Sequence, residues 1–253
     1  MRMKWLASVM IVTVLVFSAA ASASPAEKIR EIRDKLEERL EDLENSPIIT
    51  QQGIFEKATF VHYAKSQNPK PAKAATCYKL MGVKWGTLPV NYAINPSNPQ
   101  GLEEGFVTSA ISTSAEMWDA ATSKELFNDA YGVDYTVQYG VQDFKDAIAF
   151  GDYPNSGVIA VTSVWYNRFT RRIVEFDMLF NTDFAWGDAT VDPAKMDLQN
   201  IATHELGHSV GLSDIYSSAC SAVTMYGYSN YGETQKRSLE QPDITGLQKI
   251  YGA

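Results

Sequence analysis

The chain has 253 residues, with 22 Lys and Arg against 30 Asp and Glu, for a formal charge of −8. At 45% hydrophobic and 21% charged residues it has the composition of a globular protein with a core, which excludes wholesale disorder and collagen-like fibre. An acidic balance without clustered Lys and Arg excludes a nucleic-acid partner, and the length fits one domain, or one domain with an appendage.

Met1 to Lys4 is short and basic, Trp5 to Phe17 is apolar, and Ala21-Ser22-Ala23 forms an A-x-A site. This three-part pattern predicts a signal peptide over residues 1–23 and a secreted, extracellular protein. The other reading is an uncleaved anchor helix, because the uncharged run from Trp5 to Ala23 comes close to the ~20 residues that a span needs. Only in that case is a membrane a partner. Export in turn permits disulfides.

Residues 24–76 read as a helical segment and a linker. Ile29, Ile32, Leu36, Leu40 and Leu43 recur every three to four residues, one stripe of an amphipathic helix. Arg30/Asp34, Glu31/Lys35 and Arg33/Glu37 add opposite charges at (i, i+4). Such a helix serves equally as a pro-segment covering an active site or as a helical arm. Gln67 to Ala75 holds Pro69 and Pro71 and reads as a linker.

Residues 77–253 form the main domain. Val90, Tyr92 and Ile94 alternate as in a strand. Phe106, Ala110, Met117 and Trp118 place the core face of a helix within 102–121. Residues 157–165 and 173–180 are rich in Val, Ile, Phe and Tyr and read as strands. A further helix, opened by Asp192-Pro193, carries Leu198, Ile201, Ala202 and Leu206.

That helix holds His204-Glu205-Leu206-Gly207-His208, two of the three histidines of the chain. On a helix, His204 and His208 stand one turn apart on one face, so both imidazoles reach one ion. Glu205 lies beside them, placed to take a proton from a water. Two ligands are too few for a catalytic zinc site, which takes three and leaves a position open. Were the helix to continue, Asp214 would lie about 15 Å along the axis from His204, out of reach. Gly211 is the residue that lets the helix end and the chain turn back. Asp214 then returns as an oxygen ligand. Glu233, from a later segment, is the rival third ligand.

The run His204-Glu205-x-x-His208-x-x-Gly211-x-x-Asp214 resembles the extended zinc signature of the metzincin metallopeptidases. Most of that clan has His at the last position. Asp there resembles a minority branch that includes the snapalysin-type enzymes. Thr224-Met225-Tyr226-Gly227 resembles the clan's methionine turn, with Met225 as the methionine. Among metzincins the matrixins look most similar. Their signature segment resembles His204 to Ser213, their last helix resembles Asp243 to Gly252, and their first strand resembles Val83-Lys84-Trp85 with Leu88 to Ile94.

The resemblance spans roughly residues 77–253. It implies an α/β fold of the metzincin type: a twisted, mostly parallel sheet, two long helices, and a small C-terminal part with Met225 and a last helix near 242–251. It further implies a secreted zinc endopeptidase acting on protein or peptide substrates such as extracellular matrix. One Zn²⁺ would be held by His204, His208 and Asp214, with Glu205 as general base. One of the strands at 157–165 and 173–180 would edge the cleft, where an extended substrate adds as a further strand. The rival from another class is a non-catalytic, surface-anchored binding protein on a metzincin scaffold.

Departures from the family bear on these expectations. With His62 the one histidine left over, no downstream imidazole can replace Asp214, and a second, histidine-rich structural zinc site lacks ligands. Cys77, in Ala-Thr-Cys-Tyr-Lys, does not match the matrixin cysteine switch. In an exported chain Cys77 and Cys220 pair by default as one disulfide. The alternative is a Cys77 thiolate blocking zinc. Glu175, Asp177, Asp183, Asp188, Asp192 and Asp197 crowd one stretch, which suits Ca²⁺ or reads as a solvated acidic face. Nothing in the pattern encodes an oligomeric state.

Overall fold

The structure is a computed structural model in which residues 53–64 and 76–253 are described. The signal peptide expected at 1–23 and the helix expected at 26–45 lie outside the described residues. The described residues all belong to one compact unit, Thr50–Ala253.

The elements are β1 (Phe55–Ala64), β2 (Lys84–Trp85), β3 (Ala93–Asn95), α1 (Glu104–Asp119), β4 (Gly132–Val133), β5 (Ala147–Gly151), β6 (Val158–Asn167), β7 (Arg172–Asn181), β8 (Trp186–Gly187), β9 (Met196–Asp197), α2 (Leu198–Ser209), β10 (Tyr228–Ser229) and α3 (Gln241–Tyr251). Among the described residues the main sheet runs β10-β1-β6-β7-β5-β3-β4, with β2 on β7. The α/β architecture is as expected, but the sheet is mixed. The β7-β5-β3-β4 half is parallel, while β6 runs against both β7 and β1. The connection from β6 to β7 is a short turn, and a short turn can join only antiparallel neighbours.

The strands expected at 157–165 and 173–180 are β6 and β7, and the helix expected within 102–121 is α1. Three expectations need correction. The single strand from Val83 to Ile94 is two short strands, β2 and β3, with a cis Leu88–Pro89 peptide between them. Pro89 has no N–H to give a ladder. The helix with the two histidines starts at Leu198, not at Asp192-Pro193. Asp197 caps it, accepting from the Asn200 N–H at 2.8 Å, as an aspartate N-cap does. Residues 55–64, taken as part of a helical segment and linker, form a full strand of the sheet. Its pairing partners lie 95 to 165 residues away, so no local pattern announces them.

β6 is buried from Val158 to Trp165, on both faces. On one face lie α1 and α2, seamed by polar contacts as well as packing. The Trp118 indole donates to the Thr203 carbonyl at 2.8 Å, and Ser114 Oγ donates to the Gln199 carbonyl at 3.1 Å. On the other face Ser163 bonds to Tyr139 at 2.9 Å, and Asp177 of β7 accepts from the Gly140 N–H at 2.7 Å.

Asp177 is fully buried, and its Oδ1 has no hydrogen bond. Burial raises its pKa to about 7, the bond from Gly140 opposing. A carboxyl whose folded pKa is raised binds a proton more tightly folded than unfolded. Its contribution is therefore favourable below about pH 4 and is lost as pH rises toward 7. Asp177→Asn keeps an acceptor for Gly140 and removes the titration. We expect the variant to gain stability over wild type between pH 4.5 and pH 8, by about 2–4 kcal/mol in urea unfolding. A difference that does not change with pH would refute the assignment.

Candidate metal centre

His204 and His208 project from the same face of α2 and are fully buried. His204 Nδ1 bonds to the Thr224 carbonyl at 2.7 Å, and His208 Nδ1 bonds to the Leu212 carbonyl at 3.0 Å. A carbonyl only accepts, so each Nδ1 carries the proton and each Nε2 is a bare lone pair. The two Nε2 atoms nevertheless stand 3.2 Å apart. Asp214 Oδ1 lies 3.2 Å from one and 3.5 Å from the other, with no hydrogen bond of its own. Three acceptors this close repel unless they share a cation. Ligand atoms held at ~2.0–2.1 Å in a tetrahedron stand about 3.3 Å apart, so the spacing fits zinc.

The turn of the chain after α2 brings Asp214 back. Gly211 has φ +98°, and a Cβ there would lie 2.5 Å from the Val83 carbonyl oxygen. Both the conformation and the space require glycine. The returning strand of chain is clamped by the segment before β2: Met81 N–H donates to the Gly211 carbonyl at 2.9 Å and Ser213 N–H to the Lys79 carbonyl at 2.8 Å. The Cys77–Cys220 disulfide ties the same segment to the loop before Met225, across a Cα–Cα distance of 5.4 Å. The pairing leaves no thiolate at Cys77.

Glu205 is fully buried beside the triangle. Thr162 Oγ1 of β6 donates to its Oε2 at 2.5 Å, while Oε1 has no hydrogen bond. Burial raises the Glu205 carboxyl to about 7, near where a general base for neutral pH belongs. Burial lowers His204 to about 4.

Two side chains not chosen from the sequence stand over these residues, both from β1. The Phe60 ring lies flat on the His208 ring, with centroids 4.0 Å apart and planes 7° from parallel. The His62 ring meets the His204 ring edge-on at 4.0 Å. His62 Nδ1 faces Glu205 Oε1 at 3.3 Å, and its Nε2 bonds to Ser229 Oγ at 3.1 Å. Among the described residues two groups could hold a metal ion: His204, His208 and Asp214, and His62, His204 and Glu205. All three histidines of the chain thus converge. Their scarcity was the available signal for His62. Tyr216, also missed, donates to Asp214 Oδ2 at 3.1 Å. Its ring fills the space beside Gly227.

Met225 is buried against α2. Its main-chain N–H and that of Thr224 donate to the buried Asp243 carboxylate at 3.2 and 2.9 Å. Its sulfur lies against α2 at Gly207. The rival Glu233 is elsewhere, accepting from the Asn230 N–H at 2.7 Å. The acids considered for calcium belong to neither metal group. Asp188 and Asp197 bind Arg237 at 2.6 and 2.5 Å, and Glu175 accepts the Asp143 and Phe144 N–H groups. Ca²⁺ therefore finds no support.

The sequence pattern of the family described as Matrixin matches residues 84–252. The chain is 32% identical over 170 residues to neutrophil collagenase of Homo sapiens, covering 67% of this chain and 33% of that protein. It is 29% identical over 171 residues to stromelysin-1 of Mus musculus, covering 67% and 33%. It is 28% identical over 183 residues to matrix metalloproteinase-16 of Homo sapiens, covering 69% and 28%. The chain thus spans about a third of the length of these relatives.

The contact between α2 and the methionine turn generates a steric prediction. A Cβ on Gly207 would lie 2.3 Å from Met225 Sδ and 2.7 Å from the Trp118 ring. Met225 can shift, but Trp118 is held by its bond to Thr203. Gly207→Ala should cost about 1–3 kcal/mol through overpacking, seen as a melting temperature lower by several degrees. A melt equal to wild type would mean that α2 does not bear on Met225 as described.

Proposed function

The chain belongs to the matrixin family, and on that basis we propose that it is a secreted zinc-dependent endopeptidase acting on extended protein substrates. The observation that carries this reading is the triangle of His204 Nε2, His208 Nε2 and Asp214 Oδ1, 3.2–3.5 Å on each side, with both Nδ1 protons already donated. His204, His208 and Asp214 would hold the ion. Zinc bound there supplies Lewis-acid polarisation of the scissile carbonyl and of the attacking water.

The chain's own groups do the rest. Glu205 takes a proton from the attacking water on its unbonded Oε1 and returns it to the leaving amine. Thr162 fixes the other oxygen, so the carboxylate keeps one orientation. The Thr224 and Leu212 carbonyls hold both imidazoles in the ligating tautomer. Tyr216 orients Asp214 through its second oxygen. The substrate backbone would pair with β6, the strand that carries Thr162 past Glu205.

Residues 1–23 read as an export signal and 24–76 as a pro-like segment. Among the described residues no helix is long and apolar enough to cross a membrane. A non-catalytic binding protein needs neither a base nor a metal triangle, and no observation favours it.

The purified protein should carry one zinc per chain. Asp214→Ala should lose it by metal analysis, and Glu233→Ala should keep it. Glu205→Gln should retain zinc while casein hydrolysis by the active form falls by two orders of magnitude or more, about the 10²–10⁴-fold that acid–base catalysis contributes. Zinc retained in Asp214→Ala, or undiminished turnover in Glu205→Gln, would overturn the assignment of that residue.

A further inference from the structure

β1 differs from the strands beside it. It lies between β6 and β10, antiparallel to the first over Phe55 to Tyr63 and parallel to the second at Tyr63 and Ala64. A strand flanked on both sides is normally scaffold. Yet in β1 only His62 is buried, the other nine residues being half-exposed or exposed. Its neighbour β6 is buried over eight consecutive residues. β1 also lies outside residues 84–252, the stretch that matches the family. The domain is complete in family terms without it, and β6 is then the edge strand of the cleft.

The two side chains that β1 turns toward α2 are those that cover the site. Phe60 lies on His208, and His62 lies on His204 and against Glu205 Oε1. Oε1 is the oxygen with no hydrogen bond, the one available to take a proton. With β1 in place, His204, Glu205 and His208 are fully buried and Asp214 is 8% exposed. An added strand on an edge is how an extended peptide is recognised, and β1 occupies that position over the catalytic carboxylate.

We propose that β1 is a tethered pseudosubstrate that holds the chain latent, filling the substrate cleft by strand addition with His62 seated against the general base. The proposal rests on the peptidase reading and adds its regulation. It assigns the blocking role to a histidine, where Cys77 is committed to the disulfide. Among the described residues β1 is the first element of its unit, so it can leave by giving up its pairings with β6 and β10 and the contacts of Phe60 and His62, with no other described strand displaced. Its exposed outer residues make that departure inexpensive relative to loss of any buried strand.

The test uses the full chain with Phe60→Ala/His62→Ala, and His62→Asn as a milder variant should the double change fail to fold. Three readouts are taken: hydrogen exchange of the β6 amides, casein turnover, and anisotropy of a fluorescent peptide of residues 53–64. The variants should exchange β6 faster and turn over casein at least about tenfold faster than wild type, as the open population rises. They should also bind the peptide saturably, whereas wild type, with its cleft filled, should not. A folded variant with wild-type exchange, wild-type turnover and no peptide binding overturns the proposal. Faster exchange and peptide binding without turnover in any form support β1 as the occupant of the cleft and overturn the peptidase reading instead.

Discussion

Two imidazole nitrogens and a carboxylate oxygen, all acceptors, are held 3.2–3.5 Å apart in a buried interior. Left to themselves these groups would move apart, so the surrounding structure must oppose their repulsion until a cation takes its place among them. Each bears a restraint. The Thr224 and Leu212 carbonyls fix the two rings. Tyr216 holds the second oxygen of Asp214. α2 is itself pinned to α1 through Trp118 and Ser114. The carbonyl that accepts from His204 Nδ1 belongs to the residue before Met225, so this turn contributes to the orientation of the imidazole as well as to packing. Asp243 secures that turn from α3 by taking both its N–H groups. A carboxylate in the last helix thus bears on a nitrogen 39 residues earlier in the chain.

The carboxylate of Glu205 comes from the helix and takes its orientation from the sheet. Glu205 is one residue from a ligand, which places it but does not orient it. Thr162 does so from β6, with a short bond to one oxygen. The other oxygen faces His62. Sheet and helix are therefore coupled at Glu205. β6 anchors this carboxylate and pairs along its edge with β1, whose most buried residue, His62, is the one that meets it.

Much of the site was legible in the sequence because helical spacing is a local rule. Four residues on a helix is one turn, so His204 and His208 had to share a face. The helix had to stop for Asp214 to return, and Gly211 is the residue that stops it. The family resemblance added Met225, which no periodicity would single out. The default of pairing two exported cysteines gave Cys77–Cys220. The start of the helix was misread, because Pro193 suits a first turn but Asp197, a better cap, lies four residues later.

What only the tertiary structure decided depends on contacts between distant segments. Tyr216 and Thr162 reach the site from a loop and a strand with no motif of their own. His62 lies 142 residues before His204, in a stretch whose local composition resembles a linker's surroundings. β1 exists because β6 and β10 offer it partners, and strand pairing at that separation leaves no periodic mark. The sequence by itself determined which side chains could meet at one ion, since the spacing of His204, His208 and Asp214 follows from one turn of helix and one glycine. Access to that chemistry was decided by the fold, because which strand fills an open sheet edge depends on hydrogen bonds between segments far apart in the chain.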